Sequence, residues 1–572
     1  MNRNSKSHFS ATDNQINMGR STFNRDSWFK TTFNFGDLIP FYLDEVLPGD
    51  TFDMKTSLVC RMATPKVPVM DNAYLDTYYF FVPARLLWDK WEEFNGQADP
   101  NAWEDPLELE IPQGRVYLSD NNKNYNFTLV DYFGLPVMTP DRWQSVESGY
   151  NVNLLPFRAY YLIWNEWFRD QNLQDAVLID KATPSGSVTG LDPRNGGIIP
   201  SFQRCDILRV NRFHDYFSSA LPAPQKGSAV QIPGLSDIPV VAGSPHNRDS
   251  QALAFQYDQS MNNQVFDLVA SGYGYGGRAY LNESETVSVA SDALVKAIPS
   301  NLYTSQPFAG MASIDSLRLA FQIQKLLWRD GNGGSRYTEL LRSHFGVVSP
   351  DSRLQRPEYL GGKRIPLTMN QVLQQSATVT EGNDASPLGN TGAFSKTVDS
   401  FNGFQKSFTE HGYIIGVCCA RTDHTYQNGI NKLWSRRDRF DFYYPELAHI
   451  GEQPILKKEL FVNSAETILG EPVWGYQEAW AEYRYRPSYV TGSFRSNVPQ
   501  GSLDVWHYAD DYDSEPYLSA GWMQEPFENV NRSLAVSGTS DRHEQLIADF
   551  YFDLKTTRPM PIYSVPGLVD HF

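Results

Sequence analysis

The sequence predicts a mainly β protein whose strands pair antiparallel and whose long connections carry helices. Three observations lead there: short stretches alternate apolar and polar residues, matching stretches recur far apart in the chain, and the intervening segments greatly exceed ordinary turns. "TFDMKTSLVCRM" sets Phe52, Met54, Leu58, Cys60 and Met62 on one side and Asp53, Lys55 and Arg61 on the other, a half-buried strand. "NAYLDTYYFFV" is a second strand, and "HGYIIGVCCARTD", "AWAEYRYR" and "EQLIADFYFDL" match them from the distant half of the chain. Pairing among them brings the two ends of the chain together.

The excursions between strands hold the helices. "PARLLWDKWEEFNG" reads as one, with Pro83 suited to a first turn and Gly96 to the end. The strongest is "LPFRAYYLIWNEWFRDQ", where Phe157, Tyr160, Tyr161, Trp164, Trp167 and Phe168 form one aromatic stripe, the mark of a core or an interface. "RLAFQIQKLLWRDGNGGSRYTELLRSHFG" outlines two helices joined by a glycine turn, with Ile314, Leu317, Phe321 and Trp328 on the first and Tyr337, Leu340, Leu341 and Phe345 on the second. A DNA-recognition helix presents polar residues from its first turn. This one offers Tyr337, Thr338 and Glu339, so packing is the better reading.

Charge narrows the function classes. The 572 residues carry a formal charge of −17, which repels a polyanion unless basic residues are concentrated locally, so a general duplex-DNA binder is not expected. Aromatic content is high, with 34 Phe, 31 Tyr and 13 Trp, enough for a large core and for interfaces between copies. Cys60, Cys205, Cys418 and Cys419 make no disulfide framework and fit assembly in a reducing cytosol. The opening "MNRNSKSHFSATDNQIN" has no apolar leader, and no stretch has the length of a membrane span, so no membrane insertion is expected.

Catalytic and metal motifs fail on context. "GYGYGG", residues 272–277, satisfies G-x-G-x-x-G, but "RAYLNESETVSV" continues as an alternating strand where a dinucleotide site needs a helix. "DDYDSE" offers Asp511, Asp513 and Glu515 to a hard cation, yet Pro516 stands where a calcium loop needs Gly, and a solvated acidic loop is the better reading. Cys418 and Cys419 point to opposite faces of a strand and cannot easily share an ion with Asp423 and His424. "HEQLI" lacks the second histidine of a zinc protease, and neither G-x-S-x-G nor a P-loop is present. The expectation is no enzyme, no cofactor and no metal.

Basic and aromatic residues do interleave. In "EYRYRPSYVTGSFR", read as a strand, Arg484 and Arg486 share one face and Tyr483 and Tyr485 the other; "LWSRRDRF" adds Arg436, Arg437 and Arg439. Single-stranded nucleic acid binds such mixtures of charge and stacking surface, although a salt-bridged strand face would look the same. The N-terminal arm adds Arg3, Lys6, Arg20, Arg25 and Lys30. By contrast, residues 228–311 are rich in Gly, Ser, Ala and Pro and carry three basic against seven acidic residues, the composition of an insertion that does not touch nucleic acid. The chain therefore divides into an arm (1–50), a first β part with helical loops (51–227), the insertion (228–311) and a second β part (312–572).

Several long stretches in order resemble the major capsid proteins of microviruses, most closely the gokushovirus branch. They are "FNFGDLIPFYLDEVLPGDTFDM", "VPARLLWDKWEEFNG", "LPFRAYYLIWNEWFRDQN", "LPAPQKG", "LRLAFQIQKLLWRDGNGGSRYTELLRSHFGV", "RLQRPEYLGGKR" and "WAEYRYRPSYVTG". The resemblance implies an eight-stranded antiparallel jelly roll with long helix-bearing loops, and many copies closing a small icosahedral shell around circular single-stranded DNA. It places the protein in the virion, assembled in the cytoplasm of a bacterial host. Implied partners are a small basic DNA-packaging protein, a minor or pilot protein, a scaffolding protein and a host surface receptor reached by residues 228–311 as a threefold protrusion. Arg436, Arg437, Arg439, Arg484 and Arg486 are the candidate DNA contacts. Trp164, Trp167, Phe168, Phe321, Trp328, Tyr337 and Phe345 are the candidate subunit contacts. The competing reading is an aromatic-rich β-sandwich that binds or hydrolyses glycans, as a monomer or small oligomer with one cleft.

Overall fold

Strands form where the alternation lies. The computed structural model describes residues 19–95, 109–117, 124–137, 149–184, 186–193, 202–227, 240–242, 254–257, 265–270, 279–282, 297–299, 302–304, 314–332, 342–343, 346, 355–375, 389, 391–462, 472–499, 501–536 and 543–563. Two compact units divide the chain: Met1–Pro224 with Val347–Phe572, and Gln225–Gly346.

In the first unit the strands of the two largest sheets are β1 (Ser21–Asn24), β2 (Ser27–Phe33), β3 (Ile39–Val46), β4 (Thr51–Met62), β5 (Ala73–Pro83), β6 (Glu358–Pro366), β7 (Thr397–Ser407), β8 (Gly412–Thr422) and β9 (Leu546–Arg558), with shorter strands in three smaller sheets. β1 and β2 meet β9 in one register, Asn24 opposite Lys555 and Ser27 opposite Phe552, so they are one strand interrupted at Arg25 and Asp26. The first sheet runs β1/β2, β9, β4, β7 and the second β6, β5, β8, β3, every pair antiparallel. β4 is the strand expected, with Phe52, Met54, Leu58, Cys60 and Met62 all buried.

The two sheets stack face to face. Phe41 of β3 stacks on Phe550 of β9 at 4.6 Å between ring centres, and the Thr56 and Tyr79 hydroxyls share a hydrogen bond of 2.6 Å across the layer. The architecture is a β-sandwich with few helices.

β5 and β8, at the centre of the second sheet, are buried on both faces, which explains why "YYFFV" and "IIGVCC" are continuous apolar runs. Leu75, Tyr79, Phe81, Ile414 and Cys418 enter the core between the sheets, while Phe80, Val82, Ile415, Val417 and Cys419 enter a second core beyond it. The adjacent cysteines thus occupy different cores, and burial raises both thiols, Cys419 to about 12. The second core is roofed by α1 (Leu155–Ile163) and the π-helical turn Trp164–Phe168 that extends it. Three of its polar tips bond backbone carbonyls: Tyr160 donates to that of Leu38 (2.8 Å), Tyr161 to that of Asp206 (2.9 Å) and the Trp164 indole to that of Arg209 (2.9 Å).

Two local expectations fail. "PARLLWDKWEEFNG" is not one helix but a 3-10 turn, Ala84–Leu86, and a short helix, Trp91–Phe94. The Asp89 amide donates to the Lys181 carbonyl at 3.2 Å, which diverts it from the bond a continuous helix requires, while Trp88 is fully buried. "AWAEYRYR" is not a strand. Trp480 adopts a left-handed backbone (φ +67°), Ala481–Tyr483 forms a 3-10 turn, and the Arg484 and Tyr485 amides donate back to the Ala481 carbonyl.

In the second unit, α2 (Ile314–Asn332) is a 19-residue helix. Val265–Ala270 pairs antiparallel with Ala279–Asn282, the strand expected after "GYGYGG"; residues 272–277 themselves lie outside the described residues. Among the described residues no helix is long and apolar enough to cross a membrane.

Candidate nucleic-acid interface

The five nominated arginines lie on two loops that the fold ties together. A small core of Tyr216, Phe217, Tyr426, Ile455, Leu460 and Trp474 supports both. The first loop runs through residues 432–444, where the Asp441 carboxylate accepts the Arg437 (2.7 Å) and Asp438 (2.9 Å) amides and closes a tight turn. Those bonds hold the Asp441 carboxyl below the usual carboxylate range. The second loop follows the left-handed turn at Trp480, whose buried indole donates to the Leu447 carbonyl at 2.8 Å.

Arg436 is the clasp. Its guanidinium lies 4.4 Å from the centre of the Tyr483 ring and 5.3 Å from that of Phe442, bonds the Tyr483 hydroxyl and pairs with Glu482 at 3.1 Å. Tyr443 packs edge-on against Trp480 and Tyr483. The outcome is a surface on which Trp434 (78% exposed) and Phe440 (75%) stand out, with Phe442, Tyr443, Tyr483, Tyr485 and Tyr489 about half exposed.

The arginines divide by partner. Arg436 and Arg484 are neutralised, by Glu482 and by Glu478 at 2.6 Å. Arg437, Arg439, Arg486 and Arg495 have no carboxylate partner among the described residues; Arg439 lies 5.1 Å from the Tyr444 ring centre, and Arg486 donates to the Tyr489 hydroxyl at 3.2 Å. Free guanidiniums amid exposed rings match the needs of a single strand, in which phosphates seek charge and bases seek flat surfaces. Arg495 was not singled out from the sequence; the basic end of "VTGSFR" was its only signal. The alternation that set Tyr485 opposite Arg486 misled, because the segment is a turn and both residues line one pocket.

Among the nominated subunit contacts, Trp164 is only 6% exposed and sits in the second core, so its ring is already covered by its own chain. Trp167 is 42% exposed, with its indole bonded to the Pro357 carbonyl at 3.0 Å, and Phe168 is partly buried against Tyr78. Phe321 on α2 is 55% exposed and Trp328 half-buried. Tyr337 and Phe345 lie outside the described residues. In "DDYDSE", Glu515 pairs with Lys457.

A β-sandwich with long covering loops is an architecture that viral coat subunits use. The family model described as capsid protein (F protein) matches residues 13–568. The chain is 40% identical over 559 residues to capsid protein VP1 of Bdellovibrio phage phiMH2K, with 97% of each covered. It is 37% identical to VP1 of Chlamydia phage 1 (96% of each) and 38% identical to VP1 of Spiroplasma virus 4 (94% of this chain, 93% of the other). The chain belongs to the phage capsid F protein family. It is a structural capsid protein of the virion, not an enzyme, and the microvirus resemblance read from its motifs holds.

Proposed function

We propose that this capsid subunit is an eight-stranded jelly roll whose copies close an icosahedral shell, with the arginine and aromatic face turned toward a single-stranded DNA genome. The support for the jelly roll is its nested pairing. With β1 and β2 counted as one strand, first pairs with last (β2 with β9), then β3 with β8, β4 with β7 and β5 with β6, as in a long ladder rolled up. Trp167, Phe168, Phe321 and Trp328, with Tyr337 and Phe345, are assigned to contacts between copies.

The DNA assignment rests on one observation: in a chain of charge −17, four arginines without carboxylate partners among the described residues share a surface with seven exposed aromatic rings. A small basic packaging protein would supply the rest of the countercharge, and scaffolding and pilot proteins would act in assembly. Replacing Arg437, Arg439 and Arg486 by Gln tests the assignment. Shells should form with reduced genome content, read from the ratio of nucleic-acid to protein absorbance. Unchanged content would make these arginines structural.

Residues 228–311 are assigned to a threefold protrusion used in host attachment. Deleting them should leave shells intact and lower adsorption to host cells; normal adsorption would refute the role.

A further inference from the structure

Beside the arginine face lies a pocket of about 570 Å³, within the size range of small-ligand sites. Its floor is the small core, Tyr216, Phe217 and Tyr426, and its mouth carries Trp434, Tyr485 and Tyr489. Gly429 lets the chain turn close over it: a Cβ there would fall 1.9 Å from the Glu459 carbonyl oxygen. We propose that this pocket receives one unstacked nucleobase of a single strand, with Arg486 and Arg495 on the flanking phosphates. The proposal rests on the nucleic-acid reading above and gives it a defined subsite.

Three features point to a base. Trp434 is 78% exposed although it lines a cavity, and Tyr485 and Tyr489 are about half exposed, so flat rings stand ready at the opening. Among the described residues Arg486 and Arg495 have no carboxylate partner, so the cations at this mouth are not neutralised from within the chain. Among the polar groups of the lining are two carboxylate acceptors. Glu482 is held by Lys432 (3.7 Å) and Arg436 (3.1 Å), and Glu459 takes the Tyr216 hydroxyl (2.9 Å) and the Leu456 amide (3.0 Å). A carboxylate has about four lone-pair sites, so Glu482 keeps capacity for an exocyclic amine such as that of cytosine. The alternative occupant, an acidic peptide from a second copy, would satisfy the arginines but leave the exposed rings without a stacking partner.

The test is photocrosslinking of the full chain to a short single-stranded oligonucleotide carrying 5-iododeoxycytidine, with binding followed against salt. Adducts should form on Trp434, Tyr485 or Tyr489. Trp434→Ala should weaken binding by about tenfold, the scale of one lost base stack, with the salt slope unchanged, and Trp434→Phe should restore much of it. Arg486→Gln and Arg495→Gln should each lower the salt slope by about 0.7, the value for one phosphate on a single strand. Adducts confined to 436–439 with Trp434→Ala neutral would overturn the pocket while leaving the nucleic-acid reading intact. Absence of salt-dependent binding would overturn both. Protection of the pocket from hydrogen exchange in DNA-free shells would assign it to a neighbouring copy and overturn the proposal.

Discussion

Replacing Asp510 by Asn should release the segment 504–534 from the sandwich. Asp510 is buried, pairs with Arg212, and accepts hydrogen bonds from Asn529 and from the Tyr512 hydroxyl at 3.1 Å. His424, just past β8, lies 3.4 Å from Asp510 and 3.0 Å from Glu525. Glu525 also accepts the Thr422 amide (2.8 Å) and hydroxyl (2.7 Å). Two buried cations thus face two buried carboxylates, with the Arg212 guanidinium 4.5 Å from the Trp522 ring centre. Removing one partner of such a set leaves a charge unpaired in a dry site, at a cost of about 3–5 kcal/mol. That corresponds to roughly two to four orders of magnitude in the local opening equilibrium. Hydrogen exchange of peptides from 504–534 reads it directly. The variant should exchange faster there while β4 and β9 keep their protection, and unchanged exchange across 504–534 would refute the reasoning.

The same network sets a pH window. Burial lowers the His424 pKa, but Glu525 and Asp510 outweigh it and push it up to about 10 from the ordinary 6.5. Its contribution to stability is full below about 6.5 and is lost as pH rises through about 10. Burial raises Asp510, but Arg212 and His424 outweigh it and hold its carboxyl well below the usual range. That contribution is present above the ordinary carboxylate pKa and lost only in strong acid. With intrinsic base-catalysed exchange divided out, protection across 504–534 should therefore fall relative to that of β4 as pH rises through about 10, and protection that keeps pace with β4 through that point would contradict the assignment.

Two further outcomes follow from the cores. Phe550→Ala removes a fully buried ring stacked on Phe41 of the facing sheet and should cost about 3–5 kcal/mol, seen as a lower thermal midpoint, whereas a midpoint equal to that of the parent would show the sheets do not depend on this contact. All four cysteines are buried, and burial pushes the Cys60 thiol up to about 12, so native protein should resist thiol reagents and release four reactive thiols on denaturation; fast native labelling would contradict the burial.

The sequence was most informative where one physical rule dominated. β4 and β9 have one face in the core and one outside, so alternation marked them; α1 showed its aromatic stripe because one side of it roofs a core. β5 and β8 are buried on both faces, so their alternation is between two cores and reads as a continuous apolar run. "AWAEYRYR" alternates as well as any strand, yet a left-handed Trp480 and a buried indole bond outweigh the pattern. The arginines of the candidate site were visible one by one, but which of them lack acidic partners depends on Glu478 and Glu482 and on folding across 436–484. Pro83 and Gly96 bracketed a helix that a single tertiary bond at Asp89 divides.

The most direct test of the account is a reconstruction of the assembled, DNA-filled particle at side-chain resolution. The account predicts closed icosahedral shells with Trp434, Arg437, Arg439 and Arg486 on the inner wall and nucleic-acid density against them. Those residues on the outer surface, or sealed between subunits without nucleic acid, would contradict it.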